Sequence, residues 1–154
     1  MNKLTETQAA YIAGLLDGEG CISYYNVSNG NGYRGYSTRI KVAMTDANPV
    51  YWLKDILGCG FITVREREAQ YRRVFEWQTK SRVDIADVLE AVFPYLIVKK
   101  EQAKLLLNFL RTETKIHSRV VKPELVAKRL AQLAARAELE RRLKELKIPQ
   151  DLSS

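Results

Sequence analysis

The chain has 154 residues, and its 25 basic and 18 acidic residues give a formal net charge of +7. This length favours one domain with its own core, and a hydrophobic content of 46% argues against wholesale disorder. The sequence lacks a membrane-spanning apolar window and an N-terminal signal peptide. Two cysteines without metal-ligand spacing and one histidine argue against a zinc cluster and most histidine chemistry. We therefore expect an intracellular protein with reduced thiols.

The positive charge is concentrated in two parts of the chain. Residues 61–83 contain six basic and three acidic residues, and residues 111–148 contain eleven and five. The first of these segments falls on predicted strands. A basic sheet surface is typical of proteins that bind nucleic acids, although an ordinary solvated surface can have the same composition.

The first half of the chain predicts a helix followed by a hairpin. Thr5 or Thr7 can cap a helix that runs to Gly18, since apolar residues recur on one of its faces. Residues 21–27 and 36–45 are predicted strands, separated by a turn with two glycines. In the second strand, apolar and polar residues alternate, so one face is expected to be buried and the other exposed.

The same pattern then repeats. Asn48 as N-cap and Pro49 at the first helical position predict a helix that ends at Gly58. Asp46 is an alternative cap for the start of this helix. Residues 61–67 and 71–79 alternate as strands and are predicted to form a second hairpin.

The last part of the chain is predicted to be helical. Ser81 caps a helix over residues 81–92, and Phe93-Pro94-Tyr95 breaks it. Leu-rich residues 99–111 form the next helix, and Pro123 opens a long final helix that continues through residue 147.

These elements predict an α+β domain of the order αββαββα. We expect a four-stranded antiparallel sheet with helices packed on one face, followed by C-terminal helices. The whole chain, 1–154, is interpreted as a single domain with a core at about 5–112 and a helical extension at about 118–148.

Residues 12–20, Ile-Ala-Gly-Leu-Leu-Asp-Gly-Glu-Gly, are the most unusual segment. Two glycines in a helix cost about 1 kcal/mol each relative to alanine. Ala10, Gly14 and Gly18 recur every four residues and form a stripe without side chains, along which a second helix can approach closely. Because Glu19 follows the stripe, two such helices would bring two carboxylates together at one end. Paired carboxylates beside a basic sheet suggest a divalent metal and a phosphodiester.

This segment resembles the motif of LAGLIDADG homing endonucleases, with Glu19 at the position of the final acid. Similar features occur at family-like spacing in residues 71–77, 94–96 and 99–103. The resemblance covers about residues 8–110. It implies a saddle-shaped antiparallel sheet in the DNA major groove and metal-dependent double-strand cleavage with 3′ overhangs. A single copy of the motif resembles the members that act as homodimers, in which the motif helices pack together.

The resemblance also implies roles for individual residues. Glu19 matches the metal-ligand acid, and the carbonyl of Gly18 matches the backbone group beside it. Lys99 matches a basic residue near the active-site water, and Asp46 matches a polar position in the same solvent network. The sequence departs from the family at Val50, where the pattern has a peripheral basic residue.

Two larger sets of residues follow from the same interpretation. The dimer interface is predicted to contain Ala10, Gly14, Asp17 and Gly18, with Asp17 in a helix-end or interface hydrogen bond. An exposed sheet face is predicted to contact DNA through Ser23, Tyr25, Ser37, Arg39, Lys41, Arg65, Arg67 and Arg72.

We therefore expect a homodimeric, sequence-specific endonuclease that acts on double-stranded DNA. A strand of about 9 residues spans about 30 Å, or about 9 base pairs, so two sheets imply a target of about 20 base pairs. Mg²⁺ is the expected metal; Mn²⁺ is expected to substitute, and Ca²⁺ to bind without fast cleavage.

Two other functions fit the same residues. One is a maturase that binds the RNA of its own intron, and the other is a non-cleaving DNA-binding regulator on the same fold. In each case we expect no membrane association and a location with the target DNA, in a bacterial or archaeal cytoplasm or in an organelle.

Overall fold

A computed structural model of the chain describes residues 1–28, 34–66, 72–112 and 123–147. Its elements follow the predicted order. They are α1 (Glu6–Glu19), β1 (Gly20–Ser28), β2 (Arg34–Met44), α2 (Ala47–Leu57), β3 (Phe61–Arg65), β4 (Val74–Thr79), α3 (Arg82–Val92), a 3₁₀ turn (Phe93–Tyr95), α4 (Lys100–Thr112) and α5 (Pro123–Glu145).

The four strands form one antiparallel sheet in the order β1-β2-β4-β3. Both predicted hairpins are present, and β2 and β4 pair in the middle of the sheet. Each helix from α1 to α5 contacts a strand of this sheet, and buried helix and strand side chains form one core. The prediction of an α+β domain with a four-stranded antiparallel sheet is confirmed.

The core lies between the sheet and the helices. Ile22, Ile40, Val42 and Trp77 are fully buried on the helix side, as expected for alternating strand residues. The indole of Trp77 donates a hydrogen bond to the carbonyl of Cys59 at 3.0 Å. This bond satisfies the one polar atom of the largest core side chain.

Side-chain caps define the starts of two predicted helices. Thr5 caps α1 in a reciprocal capping box with Gln8, and the hydroxyl of Ser81 accepts the Asp84 N–H at the start of α3. Both caps satisfy backbone donors that the first turn of a helix leaves without partners.

The predicted start of α2 was wrong. The helix begins at Ala47, and Asp46 rather than Asn48 is its N-cap, with Asp46 Oδ1 accepting the Asn48 N–H at 2.9 Å. Pro49 therefore occupies the third helical position instead of the first. Proline is tolerated there because the first-turn N–H groups have no intrahelical partners.

The strands of the second hairpin are shorter than predicted. Their last cross-strand pair is Arg65 with Val74, whereas the alternation had suggested strands over 61–67 and 71–79. Glu66, Arg72 and Arg73 beyond this pair are all exposed. Alternation among residues that face only solvent carries no burial signal, so it does not define a strand end. Residues 67–71 lie outside the described part of the chain.

The final helix packs on the core through one side. Leu139 and Leu143 are buried, and the guanidinium of Arg136 lies 4.5 Å from the centroid of the Tyr36 ring. Helix α5 contacts both β1 and α4. Among the described residues, no helix has the combination of length and apolar character needed to cross a membrane.

Candidate active site and outer sheet face

The helix α1 passes directly into the strand β1 without a connecting loop. Glu19 is the last helical residue and Gly20 the first strand residue, and the Gly20 N–H still donates to the carbonyl of Leu16. A Cβ on Gly20 would lie 2.5 Å from that carbonyl oxygen, so only glycine fits. This junction holds the exposed Glu19 carboxylate at one end of the sheet.

The carboxylate of Asp17 fixes the segment that leads into α4. It accepts backbone hydrogen bonds from Ile97 at 2.8 Å, Val98 at 3.2 Å and Lys99 at 2.9 Å. Burial raises the pKa of Asp17, but these three bonds and the charge of Lys99 outweigh it and hold the pKa below its usual value. The charged Asp17 therefore anchors the N-terminus of α4 to the end of α1.

The side chain of Lys99 is held in the last turn of α1. Its Nζ donates to the backbone carbonyl of Asp17 at 2.5 Å. Since α1 has no basic residue in its own last turn, Lys99 provides the positive charge that this negative helix end favours. The ammonium group thus contacts the turn that carries Gly18 and Glu19.

Asp46 lies at the same end of the sheet as Glu19. Gly20, at the start of β1, pairs with Val42, and β2 continues only to Met44. Asp46 follows this strand end as the exposed cap of α2. The structure therefore brings Glu19, Lys99 and Asp46 to one end of the sheet.

Val50 is fully buried in the core. A basic side chain at that position would have to leave the α2 packing surface to reach solvent, because burial of an unpaired charge is costly. The departure from the family pattern at Val50 therefore suits the local packing of this chain.

The oxygen donors at the end of α1 suit a hard divalent cation. The Glu19 carboxylate and the Gly18 carbonyl are the kinds of ligand that Mg²⁺ and Ca²⁺ prefer. Across the described ranges, no group of three or more His, Cys, Asp or Glu side chains could hold a metal. The Glu19 carboxylate and the Gly18 carbonyl are therefore two oxygen donors at this end of α1 that a divalent cation could use.

The small-residue stripe of α1 faces outward. Ala10, Gly14 and Gly18 are exposed. Apart from the adjoining residues and backbone of α1 itself, no described atom lies within 4 Å of a Cβ built on either glycine. This surface can accept another helix at close range. Asp17, which was also predicted at the interface, uses its carboxylate within its own chain.

One end of the outer sheet face is formed by β1 and β2. Ser23 pairs with Arg39 and Tyr25 with Ser37, so all four side chains share the predicted face. The Ser23 hydroxyl donates to the Arg39 carbonyl at 3.2 Å, and the Arg39 guanidinium lies 5.8 Å from the Tyr25 ring centroid. The alternation correctly predicted their common orientation.

The other predicted DNA-contacting residues lie further along the sheet. Lys41 lies on the same face of β2, and Arg65 is the last residue of β3, the opposite edge strand. Arg72 is exposed just before β4. Arg67 lies outside the described residues.

Glu76 is the residue on this face that the sequence interpretation missed. Its side chain is only 2% exposed, and one carboxylate oxygen accepts from Lys41 Nζ at 2.9 Å and from Arg65 Nη2 at 2.6 Å. Burial raises the pKa of Glu76, but both hydrogen bonds and both positive charges outweigh it, so its pKa lies below the usual value. The Glu76 carboxylate is therefore charged at neutral pH.

The same face contains three further residues that were not predicted as contacts. Gln78 Nε2 donates to Thr63 Oγ1 at 2.9 Å, and Phe61 is an exposed aromatic residue on the edge strand. Two features of the sequence could have identified Glu76. It alternates with the core residue Trp77 along β4, and it is an acidic residue within a basic segment.

Comparison with known proteins gives a family match over most of the described core. The family model for LAGLIDADG endonucleases matches residues 12–101. The DNA endonuclease I-CvuI of Chlorella vulgaris is 30% identical over 106 residues, which cover 66% of this chain and 63% of that protein. The matched region thus spans less than two thirds of the curated relative.

Solved structures show the same architecture. I-CvuI in complex with the I-CreI target in the presence of 2 mM Mg, with DNA not cleaved, has a TM-score of 0.71 and 25% identity, over 94% of this chain and 85% of that chain. The archaeal intron-encoded homing endonuclease I-Vdi141I, complexed with DNA, has a TM-score of 0.69 and 16% identity, over 93% and 86%. The family model and these shared features lead to one conclusion: the chain belongs to the LAGLIDADG endonuclease family.

Proposed function

We propose that this protein is a sequence-specific, divalent-metal-dependent DNA endonuclease that acts as a homodimer. The observation that carries this proposal is the geometry at the end of α1. There, Asp17 fixes the segment before α4 and Lys99 contacts the turn that carries Glu19. The DNA endonuclease I-CvuI, which matches this part of the chain, supports the same activity.

The proposed dimer forms along the exposed side of α1. Gly14 and Gly18 leave space for a second helix, and the neighbouring apolar side chains of Tyr11, Ile97 and Val98 are 51%, 84% and 72% exposed. Pairing two copies would bury this apolar surface. It would also bring two Glu19 carboxylates together, which supplies the second half of the proposed metal site.

The residues at this end have separate roles in the proposed reaction. Glu19 and the Gly18 carbonyl would hold the metal, and Lys99 would orient and polarise the attacking water through its ammonium group. Asp46 contributes a carboxylate to the surrounding water network. A bound Mg²⁺ would lower the pKa of water and neutralise charge that develops on the phosphate.

The outer sheet face is proposed to bind the DNA duplex. Positive groups at Arg39, Lys41, Arg65 and Arg72 provide attraction to phosphates. Side chains of the same strands, which project from a regular sheet, are suited to reading base edges in the major groove. Two faces placed end to end would cover about 20 base pairs, since a strand of the length of β1, with 9 residues, spans about 30 Å or about 9 pairs.

Mg²⁺ is the proposed metal, with Mn²⁺ as a substitute and Ca²⁺ as an ion that supports binding without fast cleavage. The I-CvuI structures include one in the presence of 2 mM Mg, in which DNA is not cleaved, and one in the presence of 2 mM Ca. Cleavage assays on the present protein should therefore extend well above 2 mM Mg²⁺.

The test begins with a library of randomised duplexes, from which the protein selects its own target. We expect a site of about 20 base pairs that is cut in Mg²⁺ and left intact in chelator, and sedimentation should show a dimer. A protein that stays monomeric both on and off DNA would contradict the proposal. Specific binding without cut DNA at any metal concentration would indicate the non-cleaving regulator, and preferential binding of intron RNA would indicate the maturase.

A further inference from the structure

Three charged side chains from three adjacent strands meet near the middle of the outer sheet face. Glu76 of β4 contacts Lys41 of β2 on one side and Arg65 of β3 on the other. We refer to these three residues as the Glu76 cluster. It joins both halves of the sheet across the central β2–β4 pairing.

The cluster is unusual because its acid is buried on a surface that otherwise attracts anions. Glu76 is 2% exposed, whereas Lys41 is 24% and Arg65 is 55% exposed. The carboxylate therefore lies beneath the two cations, which remain accessible from outside. A buried carboxylate is stable only when it is paired, so the acid restricts where both cationic groups can be.

We propose that Glu76 is a specificity-determining positioning residue, which holds Lys41 and Arg65 as fixed hydrogen-bond donors for the base edges of the DNA target. This inference rests on the proposed function, in which the outer sheet face binds DNA. It goes beyond that function by assigning sequence discrimination to an acidic residue that need not contact DNA.

The physical basis is the difference between mobile and fixed cations. A free lysine or arginine side chain has many rotamers and can follow the nearest phosphate, which carries no sequence information. A side chain held by a carboxylate has already lost most of that freedom, so binding to a correctly placed base acceptor requires less further ordering.

The geometry leaves donors available after pairing. Arg65 uses Nη2 toward Glu76, whereas a guanidinium has five N–H groups in a fixed planar fork. Lys41 has three ammonium hydrogens and uses one in the bond to Glu76. Guanine presents two acceptors, O6 and N7, in the major groove, so each fixed cation can discriminate guanine from other bases.

Neighbouring contacts keep the cluster in place. Thr63 pairs directly with Glu76 in the β3–β4 ladder, and its hydroxyl accepts from Gln78. Polar side chains of β3 and β4 are therefore fixed by one another beside the cluster. The centre of the face is an ordered array rather than a set of independent cations.

Glu76 is also expected to weaken DNA binding that is independent of base sequence. Its negative charge reduces the attraction of this face for phosphates. Removal of the charge should thus strengthen binding to non-target DNA and weaken base discrimination at the same time. A residue that only stabilises the sheet would not produce these two changes together.

The test compares Glu76→Gln with Glu66→Gln, after the wild-type protein has selected its target. Both variants lose one negative charge, but Glu66 is an exposed residue whose carboxylate lies 3.1 Å from the exposed Arg73. Each variant is titrated against the target, every single-base variant of it, and a non-target duplex, at several salt concentrations.

For Glu76→Gln we expect tighter non-target binding with a steeper salt dependence, and about a tenfold loss of discrimination at two base positions per half-site. For Glu66→Gln we expect the discrimination of the wild type. If Glu76→Gln keeps every base preference of the wild type, the inference is wrong. If the wild type selects no DNA at all, the proposed function itself fails.

A second variant covers the case in which Glu76→Gln does not fold. Lys41→Met keeps the Glu76–Arg65 pair, so it should lose discrimination at one base position and retain it at the position that Arg65 contacts. Loss of discrimination at both positions or at neither would contradict the assignment of one base position to each cation. Glu76→Asp tests the positioning itself, because it keeps the charge but shortens the side chain that reaches Lys41 and Arg65. Wild-type discrimination at both positions in Glu76→Asp would contradict the proposed positioning role.

Discussion

The end of α1 and the outer sheet face are held in place by different kinds of contact. At the end of α1, the important atoms are fixed by the backbone: three amides bind Asp17, a carbonyl holds Lys99, and Gly20 fits only because it has no side chain. On the outer face, Glu76 and its partners are fixed by side chains alone.

This difference indicates which region can vary. A site built on backbone groups needs a few residue types at fixed positions, so its geometry is lost when one of them changes. A surface built from side-chain pairs can exchange one pair for another on the same sheet. The first arrangement suits a constant reaction, and the second suits recognition that differs from one target to another.

The largest effect is expected from Gly14→Leu, which fills the space at the proposed helix–helix contact. The variant should fold, because no described atom lies near a Cβ at this position and leucine favours helix over glycine by about 1 kcal/mol. Cleavage should be abolished and sedimentation should show a monomer. The control Ala135→Leu, which introduces the same side chain on an exposed turn of α5, should leave cleavage and dimerisation unchanged. If Gly14→Leu remains a fully active dimer, α1 does not form the interface.

The sequence predicts some features of these two regions and misses others. The motif at the end of α1 can be recognised because its glycines and acid are close together in the chain. The anchoring of residues 97–99 by Asp17 cannot be predicted in this way, because it joins segments about 80 residues apart. The Glu76 cluster depends on the β2–β4 pairing and its register, which alternation within a single strand does not reveal.

Two of the helix-cap predictions show a similar limit. For α1 the sequence offered Thr5 or Thr7, and the cap is Thr5. At α2, Asp46 and Asn48 are both good caps, and local sequence does not distinguish them. The end of β2 at Met44 determines which residue is free to cap, and this is a property of the sheet.

The next prediction tests the backbone-held region through stability. Asp17→Asn keeps one acceptor oxygen and loses the other and the charge, so the free energy of unfolding should fall by about 2–3 kcal/mol. Because folding lowers the pKa of Asp17, its stabilisation is present above the ordinary value of 3.8 and disappears as the pH falls through the lower folded pKa. Denaturant melts at several pH values should show the variant and wild type converging in acid.

The matched control is Asp55→Asn, which removes an exposed carboxylate on α2. It should change the free energy of unfolding by less than about 0.5 kcal/mol. An equally small change in the free energy of unfolding for Asp17→Asn at neutral pH would mean that the three hydrogen bonds from backbone amides do not anchor residues 97–99.

A smaller effect is expected from Arg65→Ala on the outer face. If Arg65 contacts guanine, the variant should lose about 1–2 kcal/mol of discrimination at one target position per half-site, with little change elsewhere. Binding titrations with single-base target variants measure this. A uniform loss across all variants, with a shallower salt dependence, would instead assign Arg65 to a phosphate.

The most direct test of the account is Glu19→Gln, because it separates the reaction from DNA recognition. Glutamine keeps the volume of the side chain and removes the anion that a hard divalent cation requires. Gel-shift titration and cleavage are measured on the same selected duplex, in Mg²⁺ and in Ca²⁺. The account predicts that Glu19→Gln binds the duplex with wild-type affinity but does not cleave it in Mg²⁺, and that the wild type behaves in the same way when a chelator removes the metal. Cleavage by Glu19→Gln at the wild-type rate would contradict the account.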